Sequence, residues 1–301
     1  MNKIIIIAGP TASGKSALAV KIAKELDSEI ISCDSMQIYR KMNVGTAKVT
    51  KEEMDGVIHH MIDIVNPDED YSVNDYAKQA KHIIDDLHKR GKIPVIVGGT
   101  GLYIDSLLYP LTMGAKDDAV RLKLQEELAN FGPEEMHKRL QEIDPQEAEK
   151  VHANNTKRVL RALEIYQLTG KIKSEQEDRE KELNYDTLLI CLSPERDTLY
   201  GRINHRVDVM FLNGLAREVE ELINDGYNFD MQSMKAIGYK EFKDYFVNKL
   251  TIEEVKDLIK LNSRHYAKRQ VTWFKRYEFA NWFEDSTDNK IFDLVKKFRE
   301  E

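Results

Sequence analysis

Eight consecutive residues, Gly9-Pro10-Thr11-Ala12-Ser13-Gly14-Lys15-Ser16, fit the pattern G-x-x-x-x-G-K-[ST] throughout. The residue types suit a phosphate. Gly9 and Gly14 let backbone N–H groups turn inward around an anion, and a helix starting at the end of the loop adds partial positive charge. Lys15 brings a mobile cation for phosphate oxygens, and Ser16 offers a hydroxyl to Mg2+. A nucleotide-hydrolysing protein with such a loop usually ends a neighbouring strand in an Asp that helps hold the metal. Here the apolar run Ile93 to Val97 ends instead in Gly98-Gly99-Thr100-Gly101, and no N-K-x-D guanine-reading motif occurs. A motor ATPase or a GTPase switch therefore loses weight. The carboxylate that reaches the same region is Asp34, at the end of another apolar run. Asp34 and Thr100 are therefore the polar side chains expected at the phosphates, although a metal ligand or helix cap at Asp34 and a turn hydroxyl at Thr100 are the plainer alternatives.

These groups need a frame, and the chain supplies one. Lys3 to Ala8 reads as a buried parallel strand, Gly14 to Leu26 as a helix, and Glu29 to Cys33 as a second strand ending at Asp34. Ser72 with Asp75 has capping-box spacing and opens a helix to about Arg90. Ile93 to Val97 is a third buried strand, followed by a helix from about Gly101. This succession predicts a parallel α/β sheet of the P-loop NTPase-like kind, flanked by helices. Ligands of such sheets bind beyond the carboxyl ends of the strands, where Asp34 and Thr100 should face the phosphates.

The character changes near Met113. From Asp117 to Glu182 the sequence is charged and helical, with Pro133 and Pro145 where helices should begin and Asn154 capping another that runs to Leu168. Thr187 to Leu192 returns to a buried strand, and the remainder reads as helical, with Thr251 and Glu254 opening a long helix. The expected organisation is a core of residues 1–115 and 186–301, interrupted by an all-helical insertion domain of residues 116–185.

Composition sets outer bounds. The 301 residues are 42% hydrophobic and 32% charged, with 7 Pro and 15 Gly, as in a globular protein. No apolar run reaches the roughly 18 to 20 residues that span a bilayer, and the run at Ile4 to Ala8 is too short for a secretory signal. Cys33 and Cys191 are far apart and without metal-ligand spacing, which favours a reducing compartment. A cytoplasmic, soluble monomer is the expectation. The net charge of −7 argues against a polyanionic partner only on average. Lys260, Arg264, Lys268, Arg269, Lys275 and Arg276 lie among Tyr266, Trp273, Phe274 and Tyr277 with no acidic residue between. That stretch is either an amphipathic helix with its aromatics in the core or a nucleic-acid contact. His59 and His60 form a possible metal pair, but they lack a third ligand at sensible spacing and read as structural.

Several segments together resemble the tRNA dimethylallyltransferases: GPTASGKS at Gly9 to Ser16, DSMQIYR at Asp34 to Arg40, Gly45-Thr46-Ala47-Lys48, and His59 to Asp63 before Tyr71-Ser72-Val73. Gly98-Gly99-Thr100 before Leu102-Tyr103, Lys157 to Glu164, Ala236 to Glu241, Tyr266 to Gln270 and Thr272 to Phe274 follow in the same order. The likeness spans nearly the whole chain. Lys157 departs from it, standing where many relatives carry Gln or Arg.

The resemblance implies that a dimethylallyl group moves from dimethylallyl diphosphate to the exocyclic amine of adenosine 37, beside the tRNA anticodon, and that diphosphate leaves. Asp34 would remove a proton from an amine that is a poor nucleophile, while the loop amides, Lys15 and Mg2+ stabilise the leaving charge. Thr100 would touch the substrate near the reacting centre. Asp34, Ser35, Met36, Gln37, Thr100, Arg121, Lys157, Arg158, Val159, Leu160 and Arg161 fall on family positions that contact tRNA. The target base must be flipped out to enter the pocket. Arg202 and Arg206, four apart on one helix, could reach the diphosphate or form an exposed salt-bridging face. The rival readings are a small-molecule P-loop kinase, a prenyltransferase acting on free adenine nucleotides, and a non-catalytic P-loop RNA-binding protein.

Overall fold

A computed structural model describes residues 2–110, 117–177 and 182–301. These separate into two compact units, one of residues 1–108 with 183–301 and one of residues 109–182. Both bounds of the second unit fall slightly earlier in the chain than 116 and 185.

The first unit is built on six strands: β1 (Lys3–Ala8), β2 (Ile30–Cys33), β3 (His59–His60), β4 (Val95–Gly98), β5 (Asp186–Leu192) and β6 (Asn281–Phe283). They form one sheet in the order β3-β2-β4-β1-β5-β6, and every pairing is parallel. Parallel strands covered on both faces have no solvent side to reserve for polar residues, so β1 and β4 are nearly pure Ile and Val. Before β5 come the helices α1 (Lys15–Glu25), α2 (Lys51–Met54), α3 (Val73–Lys89) and α4 (Gly101–Leu108). The predicted capping box opens α3: Ser72 Oγ accepts from the Asp75 N–H while Asp75 Oδ2 accepts from the Ser72 N–H at 2.9 Å.

The second unit contains α5 (Asp118–Ile143), α6 (Pro145–Lys150), α7 (Thr156–Thr169) and α8 (Lys173–Glu177). Leu124, Met136, Leu140, Val151, Val159 and Leu163 form its own core. The first of these helices is two segments meeting at Gly132 (φ 80°), with Pro133 opening the second. The chain then returns to β5, α9 (Arg196–Leu212), α10 (Leu215–Asn224), α11 (Lys243–Phe246), α12 (Ile252–Phe274) and α13 (Asn289–Glu300).

Four details differ from expectation. The third predicted strand starts at Val95 rather than Ile93, because Pro94 has no N–H to give and enters only as an acceptor, from Ile5 N–H at 3.0 Å. Asn155, not Asn154, occupies the N-cap of α7. The C-terminal remainder is not purely helical, since β6 adds an edge strand beside β5. His59 and His60 form a second edge strand, too short to register as a period.

The register fixes what the loops carry. Ala8 and Cys33 both lie beside Gly98, so the segments leaving β1, β2 and β4 emerge together. A Cβ on Gly98 would stand 2.0 Å from the Cys33 carbonyl oxygen, so this crossing requires glycine. Among the described residues, no helix is long and apolar enough to cross a membrane.

Candidate active site

The glycine-rich loop is held tightly at its base. A Cβ on Gly9 would come within 2.8 Å of the Leu192 carbonyl oxygen at the end of β5. Ala12 takes φ 63°, a left-handed conformation that a residue with a Cβ adopts only where the surroundings compel it. Gly14 (φ 90°) is the N-cap of α1, so Lys15 and Ser16 open the first helical turn. Lys15 Nζ folds back to donate to the Pro10 carbonyl at 3.1 Å. Arg206, from α9, donates through Nη1 to Thr11 Oγ1 at 2.9 Å.

A cavity of about 400 Å³ opens over this loop within the first unit. Thr11, Lys15 and Ser16 line one end, and Asp34, Ser35, Met36 and Gln37 line the wall that follows β2. Gly45 to Ala47, the segment Gln232 to Lys240, Arg206 with Ile203, Val207 and Met210, and Tyr266, Arg269 and Gln270 of α12 complete it. Lys15 and Arg206 thus stand at the loop, and Ile203, Val207 and Met210 of the same helix as Arg206 give the cavity apolar lining, a combination suited to an anion carrying a hydrocarbon tail.

Electrostatics couple these residues. Burial, and then the neighbouring Arg206 charge, push the Lys15 ammonium down to about 8, against an opposing pull from Asp34. Arg206 is likewise pushed down by burial while Asp34 works to keep it charged. Burial, with Asp34 adding to it, raises the Tyr266 phenol to about 12. One carboxylate thus acts on two cations and a phenol. Its own Oδ1 accepts from the Met36 N–H at 2.9 Å and the Gln37 N–H at 3.4 Å, an Asx-type turn that holds the carboxylate at the strand end.

The other sequence candidates are placed variously. Thr100 is held beside the Asp34 turn, donating its N–H to Cys33 O at 3.2 Å and accepting the Ser35 N–H on Oγ1 at 3.1 Å, with Tyr266 of the cavity wall also at its hydroxyl. Arg121, Lys157 and Arg158 are exposed on the helical unit. Val159 is buried in that unit's core, Leu160 packs against it, and Arg161 pairs with Glu164 at 2.7 Å. Of the five family positions from Lys157 to Arg161, only Lys157 and Arg158 are exposed. Arg202 is exposed, whereas Arg206 enters the cavity. His60 bonds Glu29 at 2.7 Å and is structural, while His59 lines the cavity with Nδ1 2.9 Å from the Val57 carbonyl.

The basic stretch divides as well. Lys260 pairs with Asp208, Arg276 stacks on Trp273 and pairs with Asp105, and Phe274 and Tyr277 are core residues. Arg269 sits over the Tyr266 ring at the cavity, while Lys268 and Lys275 are exposed. Sequence reasoning did not find Tyr266 or Gln270 as cavity residues. Both lie on α12, whose approach to the loop is set by packing, and only their place in a recognisable motif could have pointed to them.

A parallel sheet whose first strand leads into a G-x-x-x-x-G-K-S loop, with a carboxylate at the next strand's end, defines a P-loop-like α/β protein that handles phosphorylated substrates. The family model for IPP transferase matches residues 37–277, and the chain belongs to that family. It is 50% identical over 298 residues to the tRNA dimethylallyltransferase of Bacillus cereus (strain AH187), a match covering 98% of this chain and 94% of that one. Among solved structures it resembles the full-length tRNA isopentenylpyrophosphate transferase from Bacillus halodurans (43% identity, TM-score 0.74, 100% of this chain and 96% of that one). It also resembles a eukaryotic dimethylallyltransferase acting on tRNA (31% identity, TM-score 0.84, 100% of this chain and 78% of that one).

Proposed function

We propose that this enzyme transfers the dimethylallyl group of dimethylallyl diphosphate to the exocyclic amine of adenosine 37 in the anticodon loop of tRNA, releasing diphosphate. The observation that carries this reading is the shared cavity of Lys15, Arg206 and Asp34, two cations for a leaving diphosphate and one carboxylate for a proton. The amine lone pair attacks the allylic carbon, the carbon–oxygen bond to diphosphate breaks, and Asp34 accepts the proton released from nitrogen. Lys15, Arg206 and the loop amides meet the charge that grows on the departing oxygen. Ser35, Met36 and Gln37 lie beside Asp34, where a base flipped from its stack would enter.

Mg2+ fits this donor set. Among the described residues no cluster of three or more His, Cys, Asp or Glu is poised for a metal, but Mg2+ is commonly bound by one or two protein groups plus substrate phosphates. The Ser16 hydroxyl, which lines the cavity, would hold it together with the diphosphate oxygens. When bound it supplies charge neutralisation to the diphosphate oxygens.

Arg121, Lys157 and Arg158 on the helical unit are proposed to contact tRNA phosphates, and Thr100 to touch the substrate near the reacting centre. The enzyme is taken to act as a monomer in the cytoplasm. Incubation with labelled dimethylallyl diphosphate and unmodified tRNA tests the reading. Label should appear on adenosine 37 and nowhere else. Phosphate transfer from ATP, or prenylation of free adenine nucleotides in preference to tRNA, would replace this reading with one of its rivals.

A further inference from the structure

Gln270 is buried, 5% exposed, near the C-terminal end of the charged helix α12. Its carboxamide is used at both ends. Oε1 accepts the N–H of Thr11 at 3.0 Å, and Nε2 donates to the carbonyl of Gly99 at 2.9 Å. Thr11 belongs to the glycine-rich loop, and Gly99 to the turn that carries Thr100. Gln270 approaches the turn so closely that a Cβ on Gly99 would stand 2.1 Å from Nε2, with the Gly9 carbonyl oxygen of the phosphate loop at 3.4 Å. The helix is seated by two neighbouring contacts. Ala267 packs with Leu199, Ile203 and Ala12, and a Cβ on Gly101 would meet Trp273 at 2.2 Å.

The contact continues beyond Gly99. The next residue, Thr100, binds the Cys33 carbonyl and the Ser35 N–H, which flank Asp34 on both sides. One hydrogen-bonded path thus runs from the phosphate loop through Gln270 and Thr100 to the turn of the carboxylate. A carboxamide both accepts and donates without charge, through two atoms set apart as these two bonds require. Glutamate lacks the donor at neutral pH, and methionine lacks it altogether.

The geometry points to Gln270 as a positioning residue for the transfer reaction: it sets the separation between the loop that binds the diphosphate and the carboxylate that receives the proton. It touches neither reacting atom. Its effect is on alignment, where a displacement of about 1 Å can cost on the order of a hundredfold in rate. The inference rests on the prenyl transfer proposed above.

The test is single-turnover prenylation at saturating dimethylallyl diphosphate and tRNA, expressed per active site titrated with labelled substrate, alongside thermal unfolding. The wild-type chain is measured first. If it transfers nothing, the proposed function falls, and the role of Gln270 with it. Gln270→Met keeps length and burial but loses both bonds. It should slow the step by between about tenfold and a hundredfold, while tRNA affinity stays within about twofold. Gly99→Ala, which displaces Nε2 and leaves Gln270 in place, should slow it comparably. Adding Gly99→Ala to Gln270→Ala, where the space is already open, should cost nothing further. Lower melting with fewer active sites, each working at the wild-type rate, would make Gln270 a stabilising residue only and overturn the inference. Fully additive losses in the double variant would do the same.

Discussion

Arg206 and Thr11 are 195 positions apart in sequence, yet the guanidinium Nη1 donates to the threonine Oγ1 at 2.9 Å. The bond ties α9, which follows β5, to the loop that follows β1. It also holds a cation at the phosphate end of the cavity in a place where burial opposes its charge. A cation kept in such a position at a cost to stability marks a site prepared for an anion.

Arg206→Ala should therefore raise KM for dimethylallyl diphosphate with little loss of stability. A charge-assisted hydrogen bond is worth about 1.5–3 kcal/mol, or roughly ten- to a hundredfold in kcat/KM. Arg202→Ala, one turn away but exposed, should leave the kinetics within about twofold. Steady-state kinetics on the two variants decide between the diphosphate role and a salt-bridging face.

The Lys15 ammonium, lowered to about 8, predicts a pH dependence. The charged form predominates below that value and is lost as pH rises through it, so the free enzyme should bind dimethylallyl diphosphate progressively less well above pH 8. Lys15→Ala should weaken binding by about ten- to a hundredfold at neutral pH and remove that inflection. The profile of kcat/KM from pH 6.5 to 9.5 in both proteins is the measurement. An unchanged inflection in the variant would assign it to another group.

The phosphate loop was legible because its chemistry is local: eight adjacent residues, a strand before and a helix after. Asp34 was legible because a parallel strand delivers its last residue to the ligand side of the sheet. The opposite wall was legible only in part. The spacing of Arg202 and Arg206 marks both as able to reach the diphosphate, but it cannot tell the cavity residue from the exposed one. Tyr266 and Gln270 reach the cavity through the packing of α12, which no local period encodes. Thr100, expected near the substrate, has its hydroxyl between Ser35 and the cavity residue Tyr266, accepting the Ser35 N–H at 3.1 Å. Val159 and Leu160 sit in a motif that reads as a contact strip, but a helix buries one face and theirs is that face. Strands of two and three residues, β3 and β6, are below the length at which alternation can be seen.

Glu218 is a further residue that spacing could not reveal. Its carboxylate accepts from the N–H groups of Asn43, Val44 and Gly45 at 2.8, 2.8 and 3.0 Å, and from the Tyr239 hydroxyl at 2.6 Å. It thereby fastens two loops that wall the cavity. Glu218→Ala should lower unfolding stability by about 1–3 kcal/mol through donors left without an acceptor. Urea denaturation reads this directly. Glu218→Gln should also be destabilising, because its amide would present N–H to N–H at one of the two oxygens' positions.

On the helical unit, Lys157 and Arg158 are exposed and two phosphate contacts are assigned to them. Replacing both with Ala should weaken tRNA binding and flatten its salt dependence by about 0.7 per phosphate contacted in a single-stranded region. Dimethylallyl diphosphate binding should not change. Lys21→Ala with Lys78→Ala, both exposed in the other unit, serves as the charge-matched control. Equal salt slopes in the two double variants would remove this helix from tRNA recognition.

The central claim is that Asp34 takes the proton from the attacking amine, and Asp34→Asn tests it most directly. Asparagine retains an oxygen to accept from the Met36 and Gln37 N–H groups, so the turn should persist while the base is lost. General-base catalysis contributes about 10²–10⁴-fold. The measurement is the single-turnover rate of prenyl transfer with the enzyme saturated in both substrates, with tRNA and dimethylallyl diphosphate affinities determined on the same preparation. The account predicts a rate lower by at least about a hundredfold with both affinities retained. A near wild-type rate at saturation, with only tRNA affinity lost, would contradict it and leave Asp34 a recognition residue.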